Sequence, residues 1–317
     1  MQQFTMDDTT AAAFDIWKRP RPVRLELEKL ARGTINQAAD RRHGERTFRV
    51  LVGSGRDCVL HSAELPIALI PLRGRVKLTE GDSTRLLHAG QLFVGDGGQR
   101  VQIIGGGDSL WMALAAPAGA WRQFVDVISE QTIPAPVLLP ATHVADRTIV
   151  RAAVRLAREA RDHASSGRSE GAVLRFVALL LDLQSMFDPL IARCPGRTLG
   201  QRRGVFLRLQ RVCNYMESNS DLDLGIAGFA RVANYSPCHF LRTFNTVYGK
   251  TPHAVLIEQR LKRALRLVND TALSITEVAH ASGFEDRCAF SRSFKRRYGE
   301  TASAVRERRL AAAVVGE

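Results

Sequence analysis

Along the first part of the chain, apolar residues come in short runs closed by glycine and polar turn residues. Leu65 to Leu72 is almost continuously apolar and stops at Arg73-Gly74. Arg75 to Thr79 then alternates apolar and polar, the period of a half-buried strand, and ends at Glu80-Gly81-Asp82-Ser83, a tight-turn composition. Thr84 to His88, Gln91 to Val94, Arg100 to Ile104 and Leu110 to Ala115 continue the series. Turn chemistry separates them at Gly90, at Asp96-Gly97-Gly98 and at Gly105-Gly106-Gly107-Asp108. So many short strands between Val23 and about Ala116 predict an antiparallel sandwich or barrel. Residues 1–20 read as a poorly ordered lead-in.

After Pro140 the period changes. Residues 141–164 are rich in Ala and Arg, with Val150, Val154 and Leu156 near helical spacing. Residues 168–187 form a second predicted helix. Its Val173, Leu174, Val177, Leu180, Leu181 and Leu183 leave little polar face, so it needs a partner, either within the chain or across a dimer seam. The stretch 189–203, PLIARCPGRTLGQRR, has two prolines, two glycines and a charge cluster, the composition of a linker. Beyond it the pattern is helical throughout, with helices predicted at 204–219, 224–233, 236–248, 252–269, 274–281, 287–298 and 302–312. The expected organisation is α+β in two domains. A β-rich N-terminal domain (1–140) is followed by connecting or dimerising helices (141–188), the linker (189–203) and an all-α C-terminal domain (204–317).

Charge sharpens this picture. The 317 residues carry a formal net charge of +13. Residues 200–310 hold 19 Lys/Arg against 10 Asp/Glu, +9 of that total. A basic C-terminal third is the footprint of a nucleic-acid binder, although charge alone leaves a merely solvated basic surface equally open. The five cysteines, at 58, 194, 213, 238 and 288, are odd in number and form no CxxC pair. They suggest neither a disulfide framework nor a zinc site, which fits the cytoplasm. The opening MQQFTMDDTTAAAFDIW has no basic segment before an apolar core, so no signal peptide is expected. Val173 to Phe187 is too short, and too interrupted by Asp182 and Gln184, to cross a membrane.

The helical part contains a repeat. IAGFARVANY (226–235) aligns without gaps to ITEVAHASGF (275–284). One extra residue then shifts the register, and CHFLRTF (238–244) matches CAFSRSF (288–294). Tyr248-Gly249 and Thr251 match Tyr298-Gly299 and Thr301. Each copy has the parts of a helix-turn-helix, at about 224–248 and 274–298. Ala230 or Ala279 allows a second helix to cross closely, and Asn234 or Gly283 tolerates a left-handed turn. Tyr235 or Phe284 follows as a core plug. Phe240 and Phe244, or Phe290 and Phe294, anchor one face of the second helix and leave the other free. Ser236-Pro237 and Asp286 are helix starts, and Gly249 and Gly299 are helix stops. The free face carries Arg242 in the first copy and Arg287, Arg292, Lys295, Arg296 and Arg297 in the second. Arginine there can bond guanine bidentately or hold phosphate. One such copy is as easily an ordinary basic helix; two with the same spacing are not.

Residues 204–310 resemble the DNA-binding domain of AraC/XylS-type regulators. The second copy carries that family's signature as Ile275-x2-Val278-Ala279-x3-Gly283-Phe284-x5-Phe290-x-Arg292-x-Phe294-Lys295-x2-Tyr298-Gly299. The resemblance implies two helix-turn-helix units joined by a long helix, about Pro252 to Asn269. Their recognition helices would enter successive major grooves, about one helical turn apart. Matched by position, the base-facing candidates are Cys238, Leu241 and Arg242 in the first unit and Arg287, Cys288, Ser291 and Arg292 in the second. Arg242 and Arg292 are equivalent; Lys295 and Arg296 are candidates for the DNA backbone. One departure falls at the end, where the family has Pro and then an aromatic after the Thr301 position and this chain has Ala302 and Val305.

The N-terminal half is similar, more faintly, to the family's cupin-like sensor domain, through Arg73-Gly74-Arg75-Val76 and Leu86 to Asp96. That implies a small-molecule effector and a homodimer; the family as a whole implies recruitment of RNA polymerase and an activating role, with repression left open. No effector contact is assigned; Trp111, Arg73 and His61 are pocket candidates whose plainer role is core filling. An enzyme is not expected, nor is a cofactor or metal. A metal cupin would need a His-x-His, and His43, His61 and His88 stand apart. No serine nucleophile elbow or phosphate-cradling loop occurs. A DNA-repair fusion would need a cysteine cluster in the N-terminal half, where only Cys58 precedes the helices. A protein that binds DNA without regulating transcription is the remaining alternative.

Overall fold

The computed structural model describes residues 23–31, 33–38, 47–56, 58–62, 65–81, 83–129, 134, 137–162, 166–223 and 225–315. The lead-in expected over 1–20, His43 and Asp82 of the expected turn lie outside them. The chain forms two compact units, Met1–Pro189 with Thr198–Gly204, and Leu190–Arg197 with Val205–Glu317.

In the first unit, one sheet runs in the order β1 (Arg24–Lys29), β3 (Thr47–Ser54), β10 (Leu110–Ala115), β5 (Ile67–Arg73), β8 (Gln91–Gly95), β11 (Ala141–Val144). The other runs β2 (Thr34–Ala38), β4 (Cys58–Ser62), β9 (Val101–Gly105), β6 (Arg75–Glu80), β7 (Ser83–His88). Helices α1 (Ala118–Ser129), α2 (Arg147–Arg161) and α3 (Ser166–Gln184) follow the strands or interleave with the last of them.

The hydrophobic pattern explains the layering. The second sheet alternates buried and open positions, as in β7 (Ser83, Arg85 and Leu87 in; Thr84, Leu86 and His88 out), and so has one wet face. The first sheet has none. Leu51, Leu69, Phe93, Trp111 and Ala113 face the second sheet, where Leu60, Val76, Leu78 and Ile103 meet them. Phe48, Val50, Ile70, Met112 and Leu114 face the helices, against Trp121, Phe124, Leu156, Phe176 and Val177. The unbroken apolar run before Arg73 is therefore a strand covered on both sides. Its Pro71 cannot donate to the ladder, and the pairing with β10 shifts register beside it, between Leu110 and Trp111.

Three expectations are corrected. The sheets are not wholly antiparallel: β1 pairs with β3, and β2 with β4, in parallel. The segments β1–β2 and β3–β4 each cross from the first sheet to the second, and the later one lies alongside the earlier in the same direction. Nor do the described strands close into a barrel; they form two open sheets. Residues 141–144, read as the start of a helix, are instead an edge strand on β8. Helix α1 was not anticipated.

The second unit is helical, as expected. It comprises most of α4 (Asp188–Arg193) and of α5 (Leu199–Ser218), with α6 (Ile226–Val232), α7 (Pro237–Tyr248), α8 (Pro252–Asp270), α9 (Ile275–Ala281), α10 (Arg287–Tyr298) and α11 (Ala302–Val315). The predicted helices match closely, except that α5 starts earlier and α4 occupies part of the 189–203 stretch read as a linker. Thr198 and Gln201 cap it reciprocally, each side-chain oxygen accepting the other's backbone N–H at 3.2 Å. No described helix is long and apolar enough to cross a membrane.

Candidate nucleic-acid interface

Each copy of the repeat folds as two helices across a tight turn. Ala230 and Ala279 are buried at the crossing, and their carbonyls accept the N–H of Tyr235 at 2.9 Å and Phe284 at 3.0 Å. Asn234 (φ 55°) and Gly283 (φ 85°) take the left-handed backbone that closes each turn. The plugs differ. Phe284 is buried, whereas Tyr235 is half-buried, with Arg208 over its ring at 5.1 Å and bonded to its hydroxyl at 3.1 Å.

The second helix of each copy is held by the same aromatic ladder. Phe240–Phe244 and Phe290–Phe294 both stand 5.4 Å apart, followed by Tyr248 at 4.5 Å and Tyr298 at 4.7 Å. Tyr248 also anchors α7 to α5, donating from its hydroxyl to Gln210 at 3.3 Å. Beside it, burial pushes the Cys213 thiol up to about 12, with the Tyr248 hydrogen bond opposing, so this thiol stays neutral. Helix ends follow the residue types. Ser236 accepts from the His239 N–H, and Asp286 from those of Cys288 and Ala289; Gly249 (φ 65°) and Gly299 (φ 81°) terminate the helices. Those two backbone bonds, with a smaller effect of Arg292, hold the Asp286 carboxyl below its ordinary range. Ser274 and Glu277 form a capping box that lowers the Glu277 pKa in the same way, chiefly through the side-chain bond to Ser274.

With Phe240, Phe244, Phe290 and Phe294 inward, the opposite faces are open. Cys238 and Arg242 are exposed and Leu241 half-buried; Arg287, Cys288, Ser291, Arg292, Lys295 and Arg296 are all exposed. Positions 238, 241, 242 and 288, 291, 292, 295 recur at three- and four-residue spacing, so each set shares one face. Asn245, exposed and fifty residues before Lys295, completes the first set. It was not singled out from the sequence, although the repeat register carries that signal. Ion pairs of the unit lie away from both faces, as at Lys250–Glu258, Arg263–Asp221 and Arg308–Glu300. The arginines of the two faces are therefore not engaged with carboxylates among the described residues. The departure after Thr301 is absorbed locally: Thr301 caps α11 through the Ala304 N–H at 3.2 Å, and Ala302 and Val305 are buried beside Phe290 and Phe294.

The pocket candidates do not converge. Trp111 is fully buried between the sheets, His61 bonds Gln102 at 2.9 Å on the outer face of the second sheet, and Arg73 is exposed and bonds the Asp108 carbonyl at 3.0 Å.

Comparison with known proteins matches residues 229–308 to a helix-turn-helix domain family. The virulence regulon transcriptional activator VirF of Yersinia enterocolitica is 32% identical over 138 residues, 44% of this chain and 49% of that protein. Residues 229–308 of this chain carry an AraC-type helix-turn-helix domain. ExsA of Pseudomonas aeruginosa, an HTH-type transcriptional regulator, is 26% identical over 245 residues, 74% of this chain and 84% of it. A solved regulator with an AraC-type DNA-binding domain, from Chromobacterium violaceum, is 27% identical, covering 34% of this chain and 96% of that one with a TM-score of 0.32. The chain spans about half the length of VirF and its near relatives, and the family match lies in the helical unit.

Proposed function

We propose that this protein is a sequence-specific DNA-binding transcription regulator that activates its targets from the cytoplasm. The observation that carries this reading is the duplicated, exposed helix face that bears Arg242 in one copy and Arg292 in the other, each anchored by the same aromatic ladder. Cys238, Leu241, Arg242, Arg287, Cys288, Ser291 and Arg292 contact bases in the major groove, and Lys295 and Arg296 contact phosphates. The activating sign follows the named role of VirF. The N-terminal unit, read as a cupin-like sandwich, takes a small-molecule effector and supports a homodimer, and RNA polymerase is the downstream partner. No residue is assigned a catalytic role.

Arg242→Ala and Arg292→Ala should each weaken specific binding by about 1–3 kcal/mol and relax preference at one base position, read by fluorescence anisotropy on selected duplexes. Lys295→Ala should instead weaken all sequences alike and reduce the salt dependence by about one counterion. Unchanged specific binding in both arginine variants rejects the assignment. A reporter response at the footprinted promoters separates a regulator from a protein that only binds DNA.

A further inference from the structure

The long helix α8 holds a piece of each helix-turn-helix. Arg260 donates from Nε to the Ser220 carbonyl at 2.9 Å and from Nη2 to the Leu222 carbonyl at 3.0 Å. Both carbonyls lie in the loop that leads into α6, on the side of the first copy. Arg263, one turn along, donates from Nε to the Ala281 carbonyl at 2.9 Å, at the end of α9 in the second copy. Its Nη2 also pairs with Asp221 at 3.2 Å, back in the first loop.

Gly283 completes the junction. A Cβ there would lie 2.5 Å from the Ser220 carbonyl oxygen and 2.9 Å from both the Asp221 Cα and the Arg260 Nε. The turn of the second copy thus rests directly on the loop of the first. Its counterpart Asn234 shares the left-handed backbone but is exposed, and there a side chain is accommodated. Left-handed geometry accounts for either residue; the close approach is what requires glycine at 283. Ser220 and Ser282, on the two sides of the contact, are fully buried.

We propose that Arg260 and Arg263, seated against the bare Gly283, are positioning residues that fix the separation and phase of the two recognition helices. They thereby set the spacing that the protein accepts between its two DNA boxes. Two units joined by one helix can pivot at either end of it, at Gly249–Thr251 and at Thr271–Ser274. A third point of attachment removes that freedom. On B-form DNA one added base pair rotates the second box by about a tenth of a turn, so a rigid pair of helices is intolerant of it. This inference rests on the DNA-binding reading above, and its test separates the two.

The preferred duplex is first selected in vitro with the full chain, and one to three base pairs are then inserted or deleted between the boxes. The unaltered protein should lose about tenfold or more in affinity per base-pair step. Arg260→Ala/Arg263→Ala should keep its affinity for a single box while its spacing profile flattens to within about threefold. A second readout needs no DNA. Cys238 and Cys288 are exposed, one on each recognition helix, and accept nitroxide labels once Cys58, Cys194 and Cys213 are replaced by Ala. The label-to-label distance distribution should be narrow in the parent and about twice as wide in the double variant, as expected when a two-state or hinge freedom is released. If the double variant does not fold, Arg260→Lys, which retains the charge but not the paired donors, is read by the same two measurements. An unchanged spacing profile together with an unchanged distance width overturns the proposal. If no duplex is selected by the parent, the DNA-binding reading fails and the distance widths alone decide for or against the clasp.

Discussion

Two residues at the same place in the repeat carry different burdens. Asn234 and Gly283 both adopt a left-handed backbone, which asparagine tolerates and glycine adopts freely. Only Gly283 has a neighbouring carbonyl where its Cβ would be. Gly283→Asn should therefore destabilise the helical unit by about 1–3 kcal/mol through overpacking, while Asn234→Gly should shift it by no more than about 1 kcal/mol. Urea unfolding of the two variants checks this; equal costs would mean that backbone conformation alone decides. The recognition face was legible at this scale because Phe240, Phe244, Phe290 and Phe294 mark the buried side and so name the open one. The clasp was not. Arg260 reaches a carbonyl 40 residues away in sequence, and no local spacing announces a partner at that distance.

Among the elements, the two copies differ in how their helices begin. In the first, α6 starts at Gly225 without a side-chain cap and the Ser236 hydroxyl caps α7, while the Thr251 hydroxyl caps the joining helix α8. In the second, carboxylates take part: Glu277, together with the Ser274 hydroxyl, in the box that starts α9, and Asp286 at the head of α10. Both carboxyls are held below their ordinary values by the bonds that they accept. A lowered folded pKa contributes stability above the unfolded value, and that contribution is lost as pH falls through the folded one. Acidification below the ordinary carboxylate range should thus loosen the starts of α9 and α10 before those of α7 and α8. Amide exchange followed by NMR across that range tests the order, and Asp286→Asn should remove most of the pH dependence at α10. Simultaneous loosening in both copies would contradict it. Helices of the second unit were readable because caps, glycine stops and the 3.6-residue period agree. Helix α5 was placed late because its Thr198–Gln201 cap sits within a proline- and glycine-rich stretch that reads as linker. Strand β11 was missed because four residues next to an Ala/Arg-rich helix carry too little period of their own, and the parallel pairings because they depend on where the chain crosses between sheets.

For the molecule as a whole, the division into two units gives its own test. A fragment from Asp188 to Glu317 keeps α4 to α11 and should bind DNA, with weaker discrimination between correctly and incorrectly paired sites than the full chain. A folded fragment without affinity at any salt concentration would contradict this. A β-rich start and a helical C-terminal part were legible from the change of period, but not that the helices just after Pro140 pack on the sheets of the first unit. The thickness of the first half was not, because a continuous apolar run does not say what covers its second face. The covering has a bearing on signalling. Between the sheets, a Cβ on Gly53 would stand 2.3 Å from the Trp111 ring, and one on Gly105 would stand 2.2 Å from the Gly55 carbonyl oxygen. A guest molecule seeking that interior would have to trade places with resident side chains, not with solvent. Occupancy and a change of shape would then be a single event.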